Sequence, residues 1–244
     1  MRADADPQPT TGVLVGVGVG PGDPDLLTTR ALHQLRAADR VVAPSVAPDA
    51  VGRAEAIVRS AAPDVAIERL TFDIGPDRVS SHKAAAEHLL PMLDGGERVA
   101  FVTLGDPNIY STFSALTDAL HELRPSLRIE TVPGIMAFQE LAARTGVALL
   151  DGTESLRLVT ALDGPGDVEV AVEDLDAAVV VYKGGRHLPA IVAALERAGR
   201  LDGAVFGELL GLPGERFGAV ADSGDRPATY LATVIVPPSR RRGP

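Results

Sequence analysis

Apolar runs alternate with helical patterns along most of the chain. Val13 to Val19, Val99 to Leu104 and Ala177 to Tyr182 are continuous apolar stretches rich in Val, the pattern of strands buried on both faces. Shorter strands are expected at Arg40 to Ala43, Val65 to Phe72, Leu127 to Val132, Leu156 to Ala161, Ala204 to Leu209 and Tyr230 to Val236. Between strands, apolar residues recur at helical spacing. One set is Leu26, Leu27, Ala31, Leu32 and Leu35, and another is Ile109, Phe113, Leu116, Leu120 and Leu123. Further helices are expected over Gly52 to Ser60, through Ala85, Leu89 and Met92 with Pro91 imposing a kink or an early end, from Met136 through Leu141, and from Leu188 to Leu195. Strand followed by helix, repeated, predicts an α/β architecture with a parallel sheet.

The turns repeat one device. Gly22-Asp23-Pro24 follows the first strand and Gly105-Asp106-Pro107 follows the central one, so Asp23 and Asp106 are expected to cap the next helices, a contribution of about 1 kcal/mol each. In a parallel sheet both turns lie on the carboxyl edge, joined there by Pro133-Gly134. Open α/β sheets bind ligands at that edge, which makes Gly105, Asp106, Ser111 and Thr112 candidates. Gly16, Gly18, Gly20 and Gly22 suggest a dinucleotide fingerprint, but the sixth position counted from Gly16 is Pro21 and from Gly18 is Asp23, so GxGxxG fails. Alternating glycines admit either a close backbone or a ligand, and both readings stand.

Composition narrows the function. The 244 residues carry a formal charge of −10, which removes the electrostatic attraction of a general nucleic-acid or anionic-membrane protein. The chain has no cysteine, hence no disulfide framework and no thiolate chemistry, and the expected compartment is the cytoplasm. No apolar run reaches the ~18 residues of a membrane span, and residues 1–11 are polar rather than signal-like. The five histidines show no HExxH or paired spacing, so no metal site is expected, and neither a P-loop nor a GxSxG elbow is present.

Three segments carry a family resemblance: VGVGPGDPDLLTTRAL at Val15 to Leu32, TLGDPNIYSTF at Thr103 to Phe113, and VPGIMAF at Val132 to Phe138 resemble the tetrapyrrole (corrin/porphyrin) methylases. Within that family, GDP followed by YST resembles the enzymes that methylate precorrin-2 at C20 in cobalamin biosynthesis. The resemblance implies an α/β fold of two domains, a parallel-sheet N-terminal domain over 12–132 and a mixed-sheet C-terminal domain over 133–237 with a cleft between; the polar N-terminus and the basic C-terminal run predict disordered tails at 1–11 and 238–244. The resemblance also implies a homodimer, a tetrapyrrole substrate and S-adenosylmethionine as methyl donor. Carried over position by position, the cofactor residues are Pro21, Leu104, Gly105, Asp106, Ile109, Met136, Ala137, Tyr182 and Thr233, and Tyr110, Ser111 and Thr112 face the substrate. No catalytic side chain is implied.

Two departures accompany the match: Met136 stands where the family more often has Ser or Thr, and Ala43 to Asp49 lacks an aromatic residue common after the second strand. A carboxylate-rich substrate also conflicts with the acidic charge, so a local basic patch is expected, with Arg78, His82, Lys83, Lys183 and Arg186 as candidates. Competing readings are another tetrapyrrole methylase such as a uroporphyrinogen III C-methyltransferase, a non-catalytic S-adenosylmethionine sensor, and a nucleotide-binding oxidoreductase. The failed glycine spacing argues against the last.

Overall fold

A computed structural model describes residues 12–73, 78–223 and 226–239. Of the tails expected to be disordered, 1–11 and 240–244 lie outside the described residues, as does most of the loop expected between Asp73 and Val79, whereas 238–239 are described and Ser239 N–H donates to Leu175 at 2.8 Å. The chain divides into two units, one ending at Ile135 and one beginning at Met136. Among the described residues, no helix is long and apolar enough to cross a membrane.

The first unit contains β1 (Val13–Gly18), α1 (Thr29–Ala37), β2 (Arg40–Ser45), α2 (Arg53–Ala61), β3 (Ile67–Thr71), α3 (Arg78–Asp94), β4 (Arg98–Thr103), α4 (Thr112–Leu123) and β5 (Arg128–Val132). The sheet order is β3-β2-β4-β1-β5 and every pair is parallel. Apolar runs form the central strands because both faces are covered. Val15, Val17, Val41 and Val102 meet Ala31 and Leu35 of α1 and Ile57 and Val58 of α2. On the opposite face, Leu14, Val42, Val99 and Phe101 meet Leu89 and Leu93 of α3 and Phe113, Leu116 and Leu120 of α4.

This winding has a functional consequence. The connection from β1 leaves over β4 toward β2, whereas the connection from β4 leaves over β1 toward β5, so the chain diverges at the carboxyl ends of two neighbouring strands. Such a divergence opens a crevice.

The second unit contains α5 (Ala137–Thr145), β6 (Ser155–Thr160), α6 (Gly166–Ala171), β7 (Ala177–Tyr182), α7 (Leu188–Arg197), β8 (Val205–Glu208), β9 (Arg216–Ala219) and β10 (Thr233–Val236). Its sheet order is β6-β7-β10-β8-β9, with β6 and β7 parallel and the other pairs antiparallel. Val179, Val181, Phe206, Val234 and Val236 pack with Val168 of α6 and Leu188, Ile191 and Leu195 of α7 on one face. Helix α5 covers the other face, over β8, β9 and β10.

Several sequence expectations are corrected. Strand β2 runs through Pro44 to Ser45, because its pairing with β4 ends at Val42 and beyond that it is an edge where the missing Pro44 N–H is tolerated, and α3 does not end early at Pro91 but continues to Asp94. The loop expected at Asp163 to Asp167 contains the start of α6, a helix too short to show a periodic stripe. The connection around Pro213-Gly214 joins β8 to β9 as an antiparallel hairpin. Strand β9 lacked a sequence signal because it is an exposed edge strand with no apolar run.

Two buried charges hold loops in place. In the first unit, fully buried Glu55 accepts from Arg59 at 2.7 Å and from Arg69 Nε and Nη2 at 2.7 and 2.9 Å, while Arg69 Nη1 donates to the Pro48 carbonyl at 3.0 Å. The Arg69 hydrogen bond is the main reason the Glu55 carboxyl sits below its ordinary range, against the opposing effect of burial. The loop after β2 is thereby fastened to α2 and β3. In the second unit, buried Arg200 donates from Nη1 to the carbonyls of Val172 and Asp174 and from Nη2 to those of Ala177 and Pro237, all at 2.9 Å. Replacing Arg200 by Met leaves these carbonyls without donors, at about 1–3 kcal/mol for each one that stays buried. Urea unfolding followed by circular dichroism should therefore show a loss of at least about 3 kcal/mol for Arg200→Met, and a change within about 0.5 kcal/mol would remove the clamp from the account of stability.

Candidate functional site

The three predicted turns meet at the divergence point of the first sheet. Val19 N–H donates to Thr103 at 3.0 Å and Gly105 N–H to Gly20 at 2.8 Å, so the chains beyond β1 and β4 stay paired past their strand ends. Gly20 and Gly105 both have positive φ, 85° and 68°, which lets each chain turn sharply there. The third turn is pressed against them. A Cβ on Gly18 would lie 2.5 Å from the Gly105 carbonyl oxygen and 2.6 Å from Gly134 N, and one on Gly134 would strike the same carbonyl oxygen. Gly16 is crowded by the Phe113 ring, again at 2.5 Å. Of the two readings of the alternating glycines, Gly16 and Gly18 serve close packing.

Asp106 ties the turns together. Its Oδ1 accepts from Asn108 N–H at 2.8 Å within its own turn and its Oδ2 accepts from Gly134 N–H at 3.1 Å across to the third turn, with the residue only 8% exposed. It does not cap α4. That role belongs to Ser111, whose hydroxyl accepts from Phe113 N–H at 3.1 Å and lies 2.8 Å from Thr103 Oγ1. Likewise Asp23 caps only a single 3-10 turn, Pro24–Leu26, and Thr28 caps α1. A short loop separates each GDP from its helix in both cases.

Pro21 is buried in the first turn, and Leu104 and Ile109 are half-buried on either side of Asp106. Thr112 opens α4, and the exposed Tyr110 just before it has φ of 50°, a left-handed conformation that costs a bulky residue energy. Tyr110 also belongs to an apolar rim. Val46 and Val51 in the loop after β2, Val79 at the start of α3, and Tyr110 after β4 are exposed, and all sit on carboxyl-edge connections of the adjacent strands β3, β2 and β4. No sequence pattern marked the valines, because strand order is needed to bring their loops side by side.

In the second unit, Met136 is the buried residue before α5 and Ala137 its half-buried first residue. Met136 N–H donates to Gln139 Oε1 at 2.9 Å, and Phe138 N–H to the Tyr182 hydroxyl at 3.3 Å. Tyr182, the last residue of β7, thus satisfies one of the helix-start N–H groups of α5. Thr233 begins β10 opposite Gly207, and continuing the β7 register sets it opposite Tyr182. This row faces α5, since a Cβ on Gly207 would lie 2.9 Å from Leu141 of that helix. Thr233 is fully buried and its hydroxyl has no hydrogen-bond partner among the described residues. An orphaned buried hydroxyl is a departure from ordinary packing.

The structure places Met136, Ala137, Tyr182 and Thr233 around one end of α5, and Pro21, Leu104, Gly105, Asp106, Ile109 and Tyr110 to Thr112 along one edge of the first sheet. Of the basic candidates, Lys83 lies 3.9 Å from Glu87, and the Arg78 side chain is outside the described residues. No metal-holding cluster of acidic or histidine residues occurs among the described residues.

Residues 13–221 match the family described as Tetrapyrrole (Corrin/Porphyrin) Methylases. A precorrin-2 C(20)-methyltransferase from Sinorhizobium sp is 32% identical over 238 residues, covering 93% of this chain and 95% of that protein. A cobalt-precorrin-2 C(20)-methyltransferase from Salmonella typhimurium is 30% identical over 234 residues, 92% of this chain and 96% of the relative. The fold is also that of a cobalamin synthesis related protein (CobF) from Corynebacterium diphtheriae, with a TM-score of 0.71 and 22% identity over 94% of this chain and 100% of that one. With the sheet-edge turns and the full-length similarity in agreement, the chain belongs to the tetrapyrrole (corrin/porphyrin) methylases.

Proposed function

We propose that this methylase transfers a methyl group from S-adenosylmethionine to C20 of precorrin-2 or its cobalt form, in cobalamin biosynthesis. The observation that carries the reading is similarity along more than nine-tenths of the chain to two C(20)-methyltransferases. The YST that follows GDP supports it.

The residues fit the cofactor. Leu104 and Ile109 are half-buried apolar groups beside main-chain turns, suited to an adenosyl or methionine moiety, and the Thr233 hydroxyl has an unused donor and acceptor. In this reading the cofactor-binding residues are Pro21, Leu104, Gly105, Asp106, Ile109, Met136, Ala137, Tyr182 and Thr233, as the family resemblance implies. Asp106 acts by fixing the turns rather than by touching the ligand. Ser111 and Tyr182 have hydroxyls engaged at helix starts, so they contribute shape. Tyr110 and Thr112, with the apolar rim of Val46, Val51 and Val79, suit the flat face of a macrocycle.

Bound S-adenosylmethionine supplies an electrophilic methyl group on its sulfonium. The protein's part is to hold the electron-rich meso carbon in line with that methyl, and such positioning is worth up to ~7–11 kcal/mol in favourable systems. The pyrrole nitrogens of the substrate push electrons to the carbon, and loss of the meso proton restores conjugation. No side chain of this chain is assigned as a general base. The proposal includes a homodimer, which rests on the family resemblance, and a cytoplasmic location, which rests on the absence of cysteine.

Asp106→Ala removes the acceptor of both Asn108 N–H and Gly134 N–H. Calorimetry should show S-adenosylmethionine affinity reduced at least tenfold, with a stability loss of about 1–3 kcal/mol, the range for an unpaired buried donor. Asp106→Asn keeps one acceptor oxygen and should fall between. An alanine variant within twofold of the parent would show that cofactor affinity does not depend on this carboxylate.

Incubation of the purified protein with precorrin-2 and S-adenosylmethionine should yield a product heavier by one methyl group, placed at C20 by NMR. Methylation of uroporphyrinogen III at C2 or C7 would replace the subfamily assignment with the alternative one. Light scattering should give about twice the 25.4 kDa of one chain, and a monomer at micromolar concentration would refute the dimer.

A further inference from the structure

In the second unit, the turn after β7 is clasped by the segment that leads into β10. The Gly185 carbonyl accepts from Ala228 N–H at 2.8 Å, and the Thr229 carbonyl lies so close to Gly185 that no Cβ fits there. The same segment is fixed on its other side by Glu208. This buried carboxylate accepts from Thr229 N–H at 2.5 Å through Oε2 and is paired with Arg216 through Oε1. Burial opposes ionisation of Glu208, but the Thr229 and Arg216 hydrogen bonds outweigh it and hold the carboxyl below its ordinary range. Its charge is therefore already spent inside the unit.

Two arginines stand at this clasp. Arg186 directly follows Gly185, and its guanidinium lies over the Tyr230 ring, 6.0 Å from the centroid. Arg226 precedes Ala228 by two residues, at most about 7 Å of chain. Both are exposed, and neither is paired with a carboxylate of the described residues. Several other arginines sit against acids, as Arg40 does with Glu97, Arg98 with Glu130 and Arg124 with Asp94. A guanidinium ordered by an aromatic face, with its donor fork uncommitted, is suited to bidentate capture of an external carboxylate.

We propose that Arg186, held by Tyr230, and Arg226 form a carboxylate-binding subsite, and that its ligand is a peripheral carboxylate of the tetrapyrrole substrate. The identity of the tetrapyrrole rests on the function proposed above, whereas the subsite rests on the clasp and its uncompensated charge. The alternative source of the same chemistry is the carboxylate of the cofactor's methionine end.

The test uses the full chain with two stable probes: uroporphyrin III, a polycarboxylate tetrapyrrole followed by fluorescence, and S-adenosylhomocysteine, followed by calorimetry. Arg186→Gln and Arg226→Gln should each weaken uroporphyrin III binding about fivefold, with S-adenosylhomocysteine affinity unchanged and the difference between parent and variants shrinking in high salt. Tyr230→Leu, which keeps both charges, should weaken the porphyrin about twofold. Thermal melts within about 2 °C of the parent verify that these surface variants remain folded, and Arg186→Lys supplies a conservative variant if the glutamine form does not. Porphyrin affinity of both arginine variants unchanged within twofold, absence of porphyrin binding by the parent, or a loss confined to S-adenosylhomocysteine would each overturn the proposal. Arginine-dependent porphyrin binding in a protein that does not methylate precorrin-2 would support the subsite while overturning the functional reading.

Discussion

The first unit depends on a carboxylate that accepts two main-chain N–H groups from different turns. Beyond the strand ends, β1 and β4 stay paired only through Val19 with Thr103 and Gly20 with Gly105, so the turn after β5 needs a separate join. Asp106 supplies that join, bonding Asn108 and Gly134 at once. It can do so only because Gly18 and Gly134 allow the backbones of β1, β4 and β5 to meet without side chains between them. The two requirements reinforce each other: the glycines permit the approach, and the carboxylate gives it one geometry.

A similar division of labour recurs elsewhere. Glu55 with Arg69 fastens the loop after β2, and Glu208 with Thr229 N–H fastens the segment before β10. In each, a buried acid is paired with arginine, and the loop's main chain is held either by the acid itself, as at Thr229, or by its arginine, as at Pro48, so a loop gains fixed geometry without a hydrophobic core of its own. Loops that carry binding residues benefit most, since affinity falls when a loop must be ordered on binding. Among the described residues, the buried hydroxyls of Ser223, Thr229 and Thr233 are left without a partner.

The strands and the edge were legible in the sequence because a strand buried on both faces has to be a continuous apolar run, as Val99 to Thr103 is. The turns were legible through GDP, but the role of Asp106 was not. A helix cap is local, whereas its bond to Gly134 spans 28 positions and depends on β5 lying beside β1. Helix starts were placed several residues early for the same reason: Pro24 and Pro107 mark tight turns, and the caps are Thr28 and Ser111 further on. The apolar rim of Val46, Val51, Val79 and Tyr110 was hidden because residues far apart in the chain share an edge only once the order β3-β2-β4 is known.

Charge poses the remaining problem of this molecule. A protein of net charge −10 repels a polyanion at long range, and salt at 0.15 M screens that repulsion beyond about 8 Å. Binding is then decided by groups within a few ångströms of each carboxylate, not by the total. The internal pairing of Arg40, Arg98 and Arg124 with acids neutralises charge that could otherwise attract anions anywhere on the surface. Cations left uncompensated gain selectivity by that contrast, because a carboxylate finds its full attraction only where no acid competes. Arg186 and Arg226 pair with no carboxylate of the described residues, and Arg186 adjoins a turn that the Gly185 to Ala228 bond holds. An acidic protein built this way can hold a carboxylate-rich ligand in one orientation, since its many acidic groups exclude the others.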